Sequence, residues 1–396
     1  MKINVGLYLG VSPSAGGMFQ YAQSLVSAVK NLDSDYNVTI VYSDIEWKSV
    51  LNRLEIDGLR IKHGRLGEFI SNIFMFLKLS RFISQKLGML LNPLIWELNK
   101  FECDIWVFPA QESISYQMPT KTIGTIHDLM HRYEPSFPEV SSLGRYSIRE
   151  HRFSNIAKSC DAVLVDSIVG RNHVVESYGV DEGRVGVLPY IAPSFIFQKQ
   201  DLLSFDSRYS LPKKFIFYPA QFWPHKNHLR LLEAMKIAMN KSPDVSLVLS
   251  GGFNHSYLAL RNKVAELDLS DCVHFVGYVP DNDLRCFYER ARALIMPTFF
   301  GPTNIPPLEA LAVGCPALVS NIYGMPEQLG DAALYFNPLN STEMADSISR
   351  IWNDDILVES LSKMGLQRTK QFGQAVFNDR FSKILNKVAI NAKNVN

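Results

Sequence analysis

The sequence predicts an α/β protein of two domains, each a doubly wound parallel sheet with helices on both faces. Its 396 residues are too many for one ordinary domain and suit two of about 150–200 residues each. Short apolar runs typical of buried strands alternate with helical periodicity along both halves. This alternation indicates parallel sheets, which bind ligands at the carboxyl ends of their strands.

The composition is that of a globular protein in a reducing compartment. Hydrophobic residues make up 47% of the chain, and the net charge of +1 argues against a nucleic-acid partner that is bound by bulk charge. The five cysteines include no Cys-x-x-Cys pair, which favours free thiols over disulfides or a zinc site. The short apolar N-terminus is unlike a signal peptide, and no run of about 18 apolar residues exists, so we expect a cytoplasmic protein.

A Gly-rich loop follows the first predicted strand, Lys2 to Leu9, and precedes a helix from Met18 to Lys30. This order brings backbone N–H groups close to an anion, so Gly16 and Gly17 are candidate ligand contacts, with a tight turn as the alternative. Further elements of this half are strands over Asn37 to Tyr42, Asp104 to Phe108, Lys121 to Ile126 and Ala162 to Val165, and helices over Leu143 to Lys158 and Ile168 to Tyr178.

Three polar groups follow strand ends in this half. His127 and Asp128 come directly after a predicted strand, where parallel sheets bind ligands. A structural histidine is the alternative, and we expect Asp128 and His131 to shape the loop. Ser167 follows the next strand, and we favour an N-cap role for it at the helix that begins at Ile168.

The stretch from Phe69 to Leu98 leaves two interpretations open. Its apolar residues recur at helical spacing, and the charges between Glu68 and Glu97 are all basic: Lys78, Arg81 and Lys86. A basic amphipathic helix can lie on an anionic membrane. We favour the more ordinary interpretation, one or two helices that face the core.

The domain boundary is expected near residues 190–210, where proline-containing coil shows no strong periodicity. One domain then covers residues 1–195 and the other 205–374. Alternation restarts at Phe215 to Tyr218. It continues through strands over Ser246 to Leu249, Val273 to Val276, Ala293 to Met296, Ala317 to Val319 and Ala333 to Phe336.

The stretch from Phe299 to Ser320, FFGPTNIPPLEALAVGCPALVS, is predicted to hold a phosphate beside a polyhydroxylated group. A loop over residues 301–304 leads into a short helix at Pro306, and proline suits a first helical turn because its missing N–H would have no partner there. The helix start and its dipole favour a bound anion. The carboxylate of Glu309, one turn in, can accept hydrogen bonds from ligand hydroxyls.

This stretch resembles the donor motif of glycosyltransferase family 4, the glycosyl transferases group 1, commonly written EGFGLPPLEAMACGTPVV. Ile305 to Glu309 and Gly314 to Pro316 match it closely, but Gly301 stands where the motif has its first glutamate. The resemblance implies a GT-B fold, in which two Rossmann-like domains face each other across a cleft. It also implies sugar transfer from a nucleotide-diphosphate donor with retention at the anomeric carbon.

The resemblance extends to the loop PAQFWPHKNH, from Pro219 to His228. It implies that Lys226 neutralises the donor's diphosphate as the leaving group gains charge. Gln221 occupies the family's arginine place and offers hydrogen bonds without charge. Gly251, with Gly252 and Phe253, resembles the loop over which the nucleotide lies.

Roles for the remaining site residues follow from the same resemblance. His127 is expected to contact the sugar, Glu309 the nucleotide ribose, and the N–H groups near Asn304 and Ile305 the leaving group. Thr303 or Asn304 could supply hydrogen bonds in place of the missing first glutamate. The last helix, over residues 375–396, is expected to pack on the N-terminal domain.

No metal and no cofactor besides the donor substrate are expected. Asp281 and Asp283 form a D-x-D pair, but they precede a predicted helix, where Asp281 or Asn282 suits an N-cap.

The predicted function is a retaining glycosyltransferase acting in surface-polysaccharide or O-antigen synthesis. It would move a hexose, with mannose and rhamnose as candidates, from a nucleotide-diphosphate sugar to a glycan or polyprenyl-linked acceptor. The alternative is a non-catalytic nucleotide-sugar-binding subunit of a glycan-assembly complex. His127, Lys226 and Glu309 around one site favour the enzyme. The membrane interpretation of residues 69–98 would place the chain peripherally on the inner face of the membrane.

Overall fold

The computed structural model describes residues 2–252 and 255–393, and the chain divides into two compact units. The N-terminal unit comprises Met1–Ile191 with Gln374–Asn396, and the C-terminal unit comprises Ala192–Gly373. Phe253, which was predicted to lie in a nucleotide loop, is outside the described residues, as are the last three residues of the predicted C-terminal helix.

Each unit is built on one parallel sheet, described here within the residues given above. In the N-terminal unit the strands are β1 (Ile3–Leu9), β2 (Tyr36–Tyr42), β3 (Leu59–Arg60), β4 (Ile105–Val107), β5 (Lys121–Thr125), β6 (Ala162–Val165) and β7 (Val185–Val187), in the order β3-β2-β1-β4-β5-β6-β7. In the C-terminal unit they are β8 (Ile216–Pro219), β9 (Leu247–Ser250), β10 (Val273–Gly277), β11 (Ala293–Met296), β12 (Ala317–Ser320) and β13 (Ala333–Phe336), in the order β10-β9-β8-β11-β12-β13.

Helices connect the strands. They are α1 (Gly17–Lys30), α2 (Trp47–Arg53), α3 (Gly64–Phe76), α4 (Arg81–Leu91), α5 (Pro93–Asn99), α6 (Met130–Tyr133), α7 (Pro138–Ser141), α8 (Arg145–Ser159), α9 (Ile168–Tyr178), α10 (Leu202–Arg208), α11 (His228–Ala238), α12 (His255–Glu266), α13 (Asp281–Arg290), α14 (Ile305–Ala312), α15 (Met325–Leu329), α16 (Ser341–Asn353), α17 (Asp355–Thr369) and α18 (Gln374–Lys393). None of these described helices combines the length and the apolar character needed to cross a bilayer.

Both sheets follow the doubly wound order, and this confirms the predicted α/β class. In each sheet the first strand is central, and its apolar residues are buried, as in β1 with Val5, Leu7 and Leu9. The chain winds outward on one side and then returns to the centre. The change of direction falls between β1 and β4 in one unit and between β8 and β11 in the other, and the crevice at such a point is where ligands bind.

The last helix, α18, belongs to the N-terminal unit. Phe377 on α18 is buried, and its ring lies edge-on to Tyr21 of α1 at a centroid distance of 5.8 Å. The side-chain amide of Gln374 donates a hydrogen bond to the Ser24 carbonyl over 3.0 Å. The chain therefore returns to its first domain after completing the second.

Residues 64–99 form three helices, and only part of their apolar surface faces the core. Helix α5 buries Leu94, Ile95 and Leu98 completely, whereas α4 buries only Ser84 and Gly88. The side chains that remain more than half exposed are Leu66, Phe69, Phe76, Leu77, Phe82, Leu90 and Leu91. The prediction of one or two core-facing helices is therefore confirmed for α3 and α5, which each bury one face, and is wrong for α4, most of whose apolar side chains are exposed.

Two smaller predictions are confirmed. The Ser167 hydroxyl accepts a hydrogen bond from the Gly170 N–H over 2.9 Å, so Ser167 is the N-cap of α9. All five cysteines are buried free thiols.

Candidate functional site

In the C-terminal unit, a buried asparagine joins three loops at the switch point of the sheet. The side-chain amide of Asn227, which follows β8, donates to the carbonyls of Pro297 after β11 (2.9 Å) and Pro338 after β13 (2.8 Å). Asn227 has a φ of +61°, a left-handed conformation that asparagine tolerates better than most residues. These contacts fix the loop after β8 against the ends of β11, its neighbour in the sheet, and of the edge strand β13.

Lys226 immediately precedes this asparagine and is half-buried. The Lys226 carbonyl accepts a hydrogen bond from the Tyr218 hydroxyl over 2.9 Å. The carbonyl of the preceding His225 accepts from the Phe299 N–H over 2.8 Å, and the His225 ring stacks on Phe300 at 4.1 Å. The loop that carries the Lys226 ammonium is thus bound directly to the predicted phosphate loop after β11.

Gln221 and Gly251 also lie together at this end of the sheet. The Gln221 side-chain carbonyl accepts from the Gly252 N–H over 3.1 Å. A Cβ atom on Gly251 would lie 2.5 Å from the Ala220 carbonyl oxygen, so only glycine permits this approach of the two loops. Gln221 therefore bridges the loops after β8 and β9.

Gly301, which replaces the motif's first glutamate, occupies a position that disfavours any side chain. Its φ is +89°, and a Cβ atom there would lie 2.8 Å from the Thr303 carbonyl oxygen and 3.1 Å from the Asn304 side-chain nitrogen. The side chain of Asn304 donates to the Phe300 carbonyl over 3.2 Å, and Thr303 is buried. The loop has thus closed over the space that a glutamate side chain would need.

The start of α14 offers fewer free donors than its position suggests. The Asn304 N–H donates to the Gln328 side-chain carbonyl over 3.2 Å, and the Gln328 amide donates back to the Asn304 carbonyl over 2.8 Å. Pro306 and Pro307 have no N–H to offer. Anion binding at this helix start therefore depends on the Ile305 N–H and the helix dipole, with Asn304 contributing only if Gln328 moves.

Glu309 is buried in α14, and its carboxylate accepts a hydrogen bond from the Tyr288 hydroxyl over 2.7 Å. Burial raises the pKa of Glu309 to about 7, against a lowering contribution from the Tyr288 hydrogen bond. The carboxyl is therefore close to half-ionised at neutral pH and can either accept from or donate to a ligand hydroxyl.

The D-x-D pair, Asp281 and Asp283, does not provide the predicted helix N-cap. Helix α13 begins at Asp281 after Pro280, without a side-chain cap, so the predicted cap at Asp281 or Asn282 is wrong. Asp283 instead accepts from the Arg208 guanidinium (2.6 Å) and the Tyr209 hydroxyl (2.8 Å). Within the described residues, no group of three or more His, Cys, Asp or Glu side chains could hold a metal ion.

The N-terminal unit contains a cavity of about 600 Å³ at its own switch point. Gly10, Glu112 and His127, which follow β1, β4 and β5, line one side. Residues from α1, α3 and α8 line the rest: Gly17 and Met18; Glu68, Ser71 and Asn72; Arg149, Arg152 and Phe153. Gly16, the N-cap residue of α1, has a φ of +59°, which glycine accommodates without strain. This cavity and His127 lie at the same strand ends.

His127 is buried and neutral. Burial lowers its pKa to about 4, against the raising influence of Asp128. One ring nitrogen lies 3.2 Å from the Pro109 carbonyl and the other 2.9 Å from the Tyr190 hydroxyl, so Nε2 carries the proton and Nδ1 accepts. His127 could form a hydrogen bond to a sugar only if its hydrogen bond with the Tyr190 hydroxyl or with the Pro109 carbonyl were broken.

Four ionisable cavity residues were not predicted: Glu68, Glu112, Arg149 and Arg152. Glu112 had a signal, since it lies close behind a buried strand, where parallel sheets place ligand contacts. Glu68, Arg149 and Arg152 lie on helices, and nothing in their local pattern distinguishes them from surface charges.

Comparisons with known proteins identify proteins that are similar to this chain. The model of the family described as glycosyl transferases group 1 matches residues 199–368. The O-antigen chain mannosyltransferase RfbU of Salmonella typhimurium is 28% identical over 240 residues, covering 58% of this chain and 63% of that protein. The O-antigen chain mannosyltransferase B of Escherichia coli is 25% identical over 323 residues, covering 80% of this chain and 81% of that protein.

A solved structure shares the fold. Anabaena HepE in complex with UDP-glucose superposes with a TM-score of 0.74 at 14% identity, covering 97% of this chain and all of that one. Residues 199–368 therefore match the glycosyl transferases group 1, and the two parallel-sheet domains have the GT-B fold. The alignment with RfbU spans less than two thirds of that protein's length.

Proposed function

We propose that this chain transfers a hexose, with retention, from a nucleotide-diphosphate sugar to a glycan or polyprenyl-linked acceptor during synthesis of O-antigen or a related surface polysaccharide. Mannose is the favoured sugar, because both relatives described above are named as mannosyltransferases. The observation that carries the proposal is the binding of the Lys226 loop to the loop after β11 through His225 and Asn227.

The proposed chemistry is electrostatic assistance to a departing diphosphate. The Lys226 ammonium would neutralise the charge that the leaving group gains, with the Ile305 N–H as a further donor. Glu309 would bind the nucleotide ribose, and Gln221 and Gly251 would contact the nucleotide. We assign to His127 a contact with the transferred sugar. Because Asp283 is already paired with Arg208, we propose a metal-independent reaction, which should continue in excess chelator.

One observation favours a second candidate, a non-catalytic nucleotide-sugar-binding subunit. The glutamate that the family motif places at position 301 is absent, and the loop leaves no room for it. Incubating the full chain with GDP-mannose, dTDP-rhamnose and UDP-glucose, with lipid-linked acceptors, separates the two. Release of nucleotide supports the enzyme; donor binding without release on every acceptor supports the subunit.

We also propose that the exposed apolar face of α3 and α4 contacts an anionic membrane, so that the chain works at the inner face of the cytoplasmic membrane. Phe69, Phe76 and Phe82 are each more than 60% exposed. Basic side chains border them, and the Lys86 ammonium lies 4.2 Å from the centre of the Phe82 ring. Apolar area with flanking positive charge is the combination that binds anionic lipid surfaces.

Vesicle sedimentation tests this contact. Changing Lys78, Arg81 and Lys86 together to glutamine should weaken binding to vesicles that contain phosphatidylglycerol, and raising the salt should do the same. A matched control changes three exposed lysines elsewhere: Lys241, Lys363 and Lys383. No binding of the unmodified chain, or equal loss in both variants, would contradict the proposal.

A further inference from the structure

The C-terminal unit contains a cavity of about 410 Å³ at the edge of its sheet opposite the donor loops. Residues just before β8, β11 and β12, at the amino ends of these strands, line it: Lys213 and Lys214, Ala291 and Arg292, and Cys315 and Pro316. The donor loops follow the carboxyl ends of strands of the same sheet. We propose that this cavity binds a small phosphate-bearing molecule, at a site separate from the donor site.

The acidic side chains of the lining are already compensated. Each of the three forms an ion pair: Glu289 with Arg285, Asp355 with Arg292, and Glu359 with Lys363. The Asp355 side chain is 89% exposed, so water solvates it on its outer side. These three carboxylates therefore oppose a bound anion only weakly.

Two lysines of the lining have no carboxylate partner. Within the described residues, neither Lys213 nor Lys214 forms an ion pair, and Lys213 is exposed. The Lys214 ammonium donates to the Trp352 carbonyl over 2.5 Å and lies 4.4 Å from the centre of the Trp352 ring. Arg290, also in the lining, is held by two hydrogen bonds to Asp206. The lysines thus supply the positive charge that the lining does not balance.

Arg292 adds a guanidinium group with an unused donor. Its Nε donates to the Ile351 carbonyl over 2.8 Å. Its Nη2 lies 2.6 Å from a carboxyl oxygen of Asp355, but this nitrogen is buried and forms no hydrogen bond in the described part of the chain. Native proteins rarely leave a buried donor unpaired, and a ligand oxygen would satisfy it.

A structural role accounts for part of this arrangement. The Ile351 and Trp352 carbonyls lie in the last turn of α16, where basic side chains stabilise a helix end. This role uses one donor of Lys214 and one of Arg292. An ammonium has three N–H donors and a guanidinium five, so both groups retain donors for a ligand.

A hydroxyl group completes the donors of the lining. Ser362, on α17, lines the cavity. A Cβ atom on Gly314 would lie 2.8 Å from the Ser362 hydroxyl oxygen, and the φ of Gly314 is +76°. A larger residue at position 314 would therefore be strained and would cover this hydroxyl.

Phosphate suits this set of donors. A guanidinium group binds phosphate through parallel hydrogen bonds, and an ammonium group binds it as a compact charge. A volume of about 410 Å³ lies within the range of about 300–1,000 Å³ that is usual for small-molecule sites. It exceeds what a bare phosphate fills, so we infer a phosphate attached to an organic group.

Tyr288 connects the wall of this cavity with the donor side of the sheet. It lines the cavity, and its hydroxyl donates to the Glu309 carboxylate over 2.7 Å. The hydroxyl is therefore not available to a ligand in the cavity. One hydrogen bond separates the cavity wall from the carboxylate that we assign to the nucleotide ribose.

Lysine labelling tests the site in the full-length chain. Acetylation by an active ester, measured by mass spectrometry, is compared with and without glycerol 3-phosphate at matched ionic strength. With the probe at about ten times its Kd, labelling of Lys213 and Lys214 should slow about tenfold, by mass action. Labelling of Lys241, which is paired with Asp346, should not change. Unchanged labelling of Lys213 and Lys214, or an equal fall at Lys241, would overturn the proposal.

Substitutions test the same groups by calorimetric titration of glycerol 3-phosphate. Lys213→Gln with Lys214→Gln should weaken binding about ten- to hundredfold, as for loss of hydrogen bonds to a charged group. The matched control, Lys241→Gln with Lys383→Gln, should bind like the unmodified chain. Lys213→Gln alone removes no hydrogen bond of the described structure, so it keeps the test valid if the double variant fails to fold. Equal affinity of Lys213→Gln and the unmodified chain would overturn the assignment.

The donor site is a competing site for phosphate, and a further variant excludes it. Lys226→Ala should keep the protection of Lys213 and Lys214 by glycerol 3-phosphate. Loss of that protection would assign the phosphate to the donor site and overturn the proposal. All of these measurements report binding, so a failure of sugar transfer counts against the proposed function and not against this cavity.

The phosphate could belong to a soluble metabolite or to a lipid headgroup, and sedimentation with vesicles that contain phosphatidylglycerol separates the two. Weaker vesicle binding by Lys213→Gln with Lys214→Gln than by the matched control would assign the phosphate to the headgroup. Equal vesicle binding, together with protection by glycerol 3-phosphate, would assign it to a soluble molecule. The absence of both effects would overturn the proposal.

Discussion

Substitution of Asn227 tests whether the bridged loops position Lys226. Asn227→Ala removes two hydrogen bonds, to the carbonyls of Pro297 and Pro338, and places a Cβ-bearing residue without a polar side chain at a φ of +61°. Each hydrogen bond contributes about 0.5–1.5 kcal/mol, and the left-handed conformation costs alanine about 1 kcal/mol. The sum is a loss of about 2–4 kcal/mol in the unfolding free energy of the C-terminal unit.

Asn227→Gly separates the two contributions, because glycine accepts the same φ without strain but cannot form the bridges. Its unfolding free energy should fall about 1 kcal/mol less than that of Asn227→Ala. Urea unfolding of the full chain measures this difference, and calorimetry provides a second measurement. Both variants should lower kcat, since the Lys226 loop loses two of the hydrogen bonds that hold it in place. Full activity in a folded Asn227→Gly variant would refute the view that the bridge positions Lys226.

Two other substitutions test the donor loops. The pKa of Glu309 is about 7 in the folded state, above its value in the unfolded state. The contribution of the protonated carboxyl to the unfolding free energy is therefore fully present below about pH 4.5 and is lost as the pH rises through 7. Glu309→Gln should therefore gain thermal stability relative to the unmodified chain between pH 5 and 8, by an amount on the order of 3 kcal/mol at most; a constant difference across this range would contradict the assigned burial. Gly301→Glu should destabilise the loop by about 1–3 kcal/mol and give no gain in turnover, because the strain arises at Cβ. Gly301→Ala should show the same loss, and a gain of turnover in Gly301→Glu alone would show that the loop can hold the motif's glutamate.

Periodic apolar runs made the strands predictable. The strands proposed over Ala162 to Val165 and Ala293 to Met296 coincide with β6 and β11, because buried central strands are continuous apolar segments between turn residues. The loops at their carboxyl ends followed from the same pattern. Gly251 and Gly301 were visible in the sequence, but the contacts that require glycine there involve backbone atoms of other residues.

Residues 64–99 show where local pattern was insufficient. The apolar stripe is continuous in the sequence, yet Ser80 and Asn92 each cap a new helix, and Asn92 with Pro93 is a recognisable helix start. Periodicity could not distinguish a stripe that faces the core from one that stays exposed. That depends on which partners the rest of the fold supplies.

The ionisable groups of the cavity depended on tertiary contacts in the same way. Glu112 follows a strand, but only the folded unit shows that Oε1 of its buried carboxyl has no hydrogen-bond partner among the described residues. Arg152 lies on a helix distant in sequence, and among the described residues no carboxylate forms an ion pair with it, which only the folded unit could show. The N-cap predicted at Asp281 failed because α13 already begins at Asp281, with Pro280 in the N-cap position.

The most direct test is nucleotide release from GDP-mannose in the presence of a lipid-linked acceptor, comparing the unmodified chain with Lys226→Ala. Removing one preorganised charge from a leaving-group site lowers kcat about 10²–10³-fold. Lys241→Ala, which removes a surface lysine paired with Asp346, is the control and should retain full activity. The account predicts that loss for Lys226→Ala alone; a turnover equal to that of the unmodified chain would contradict it.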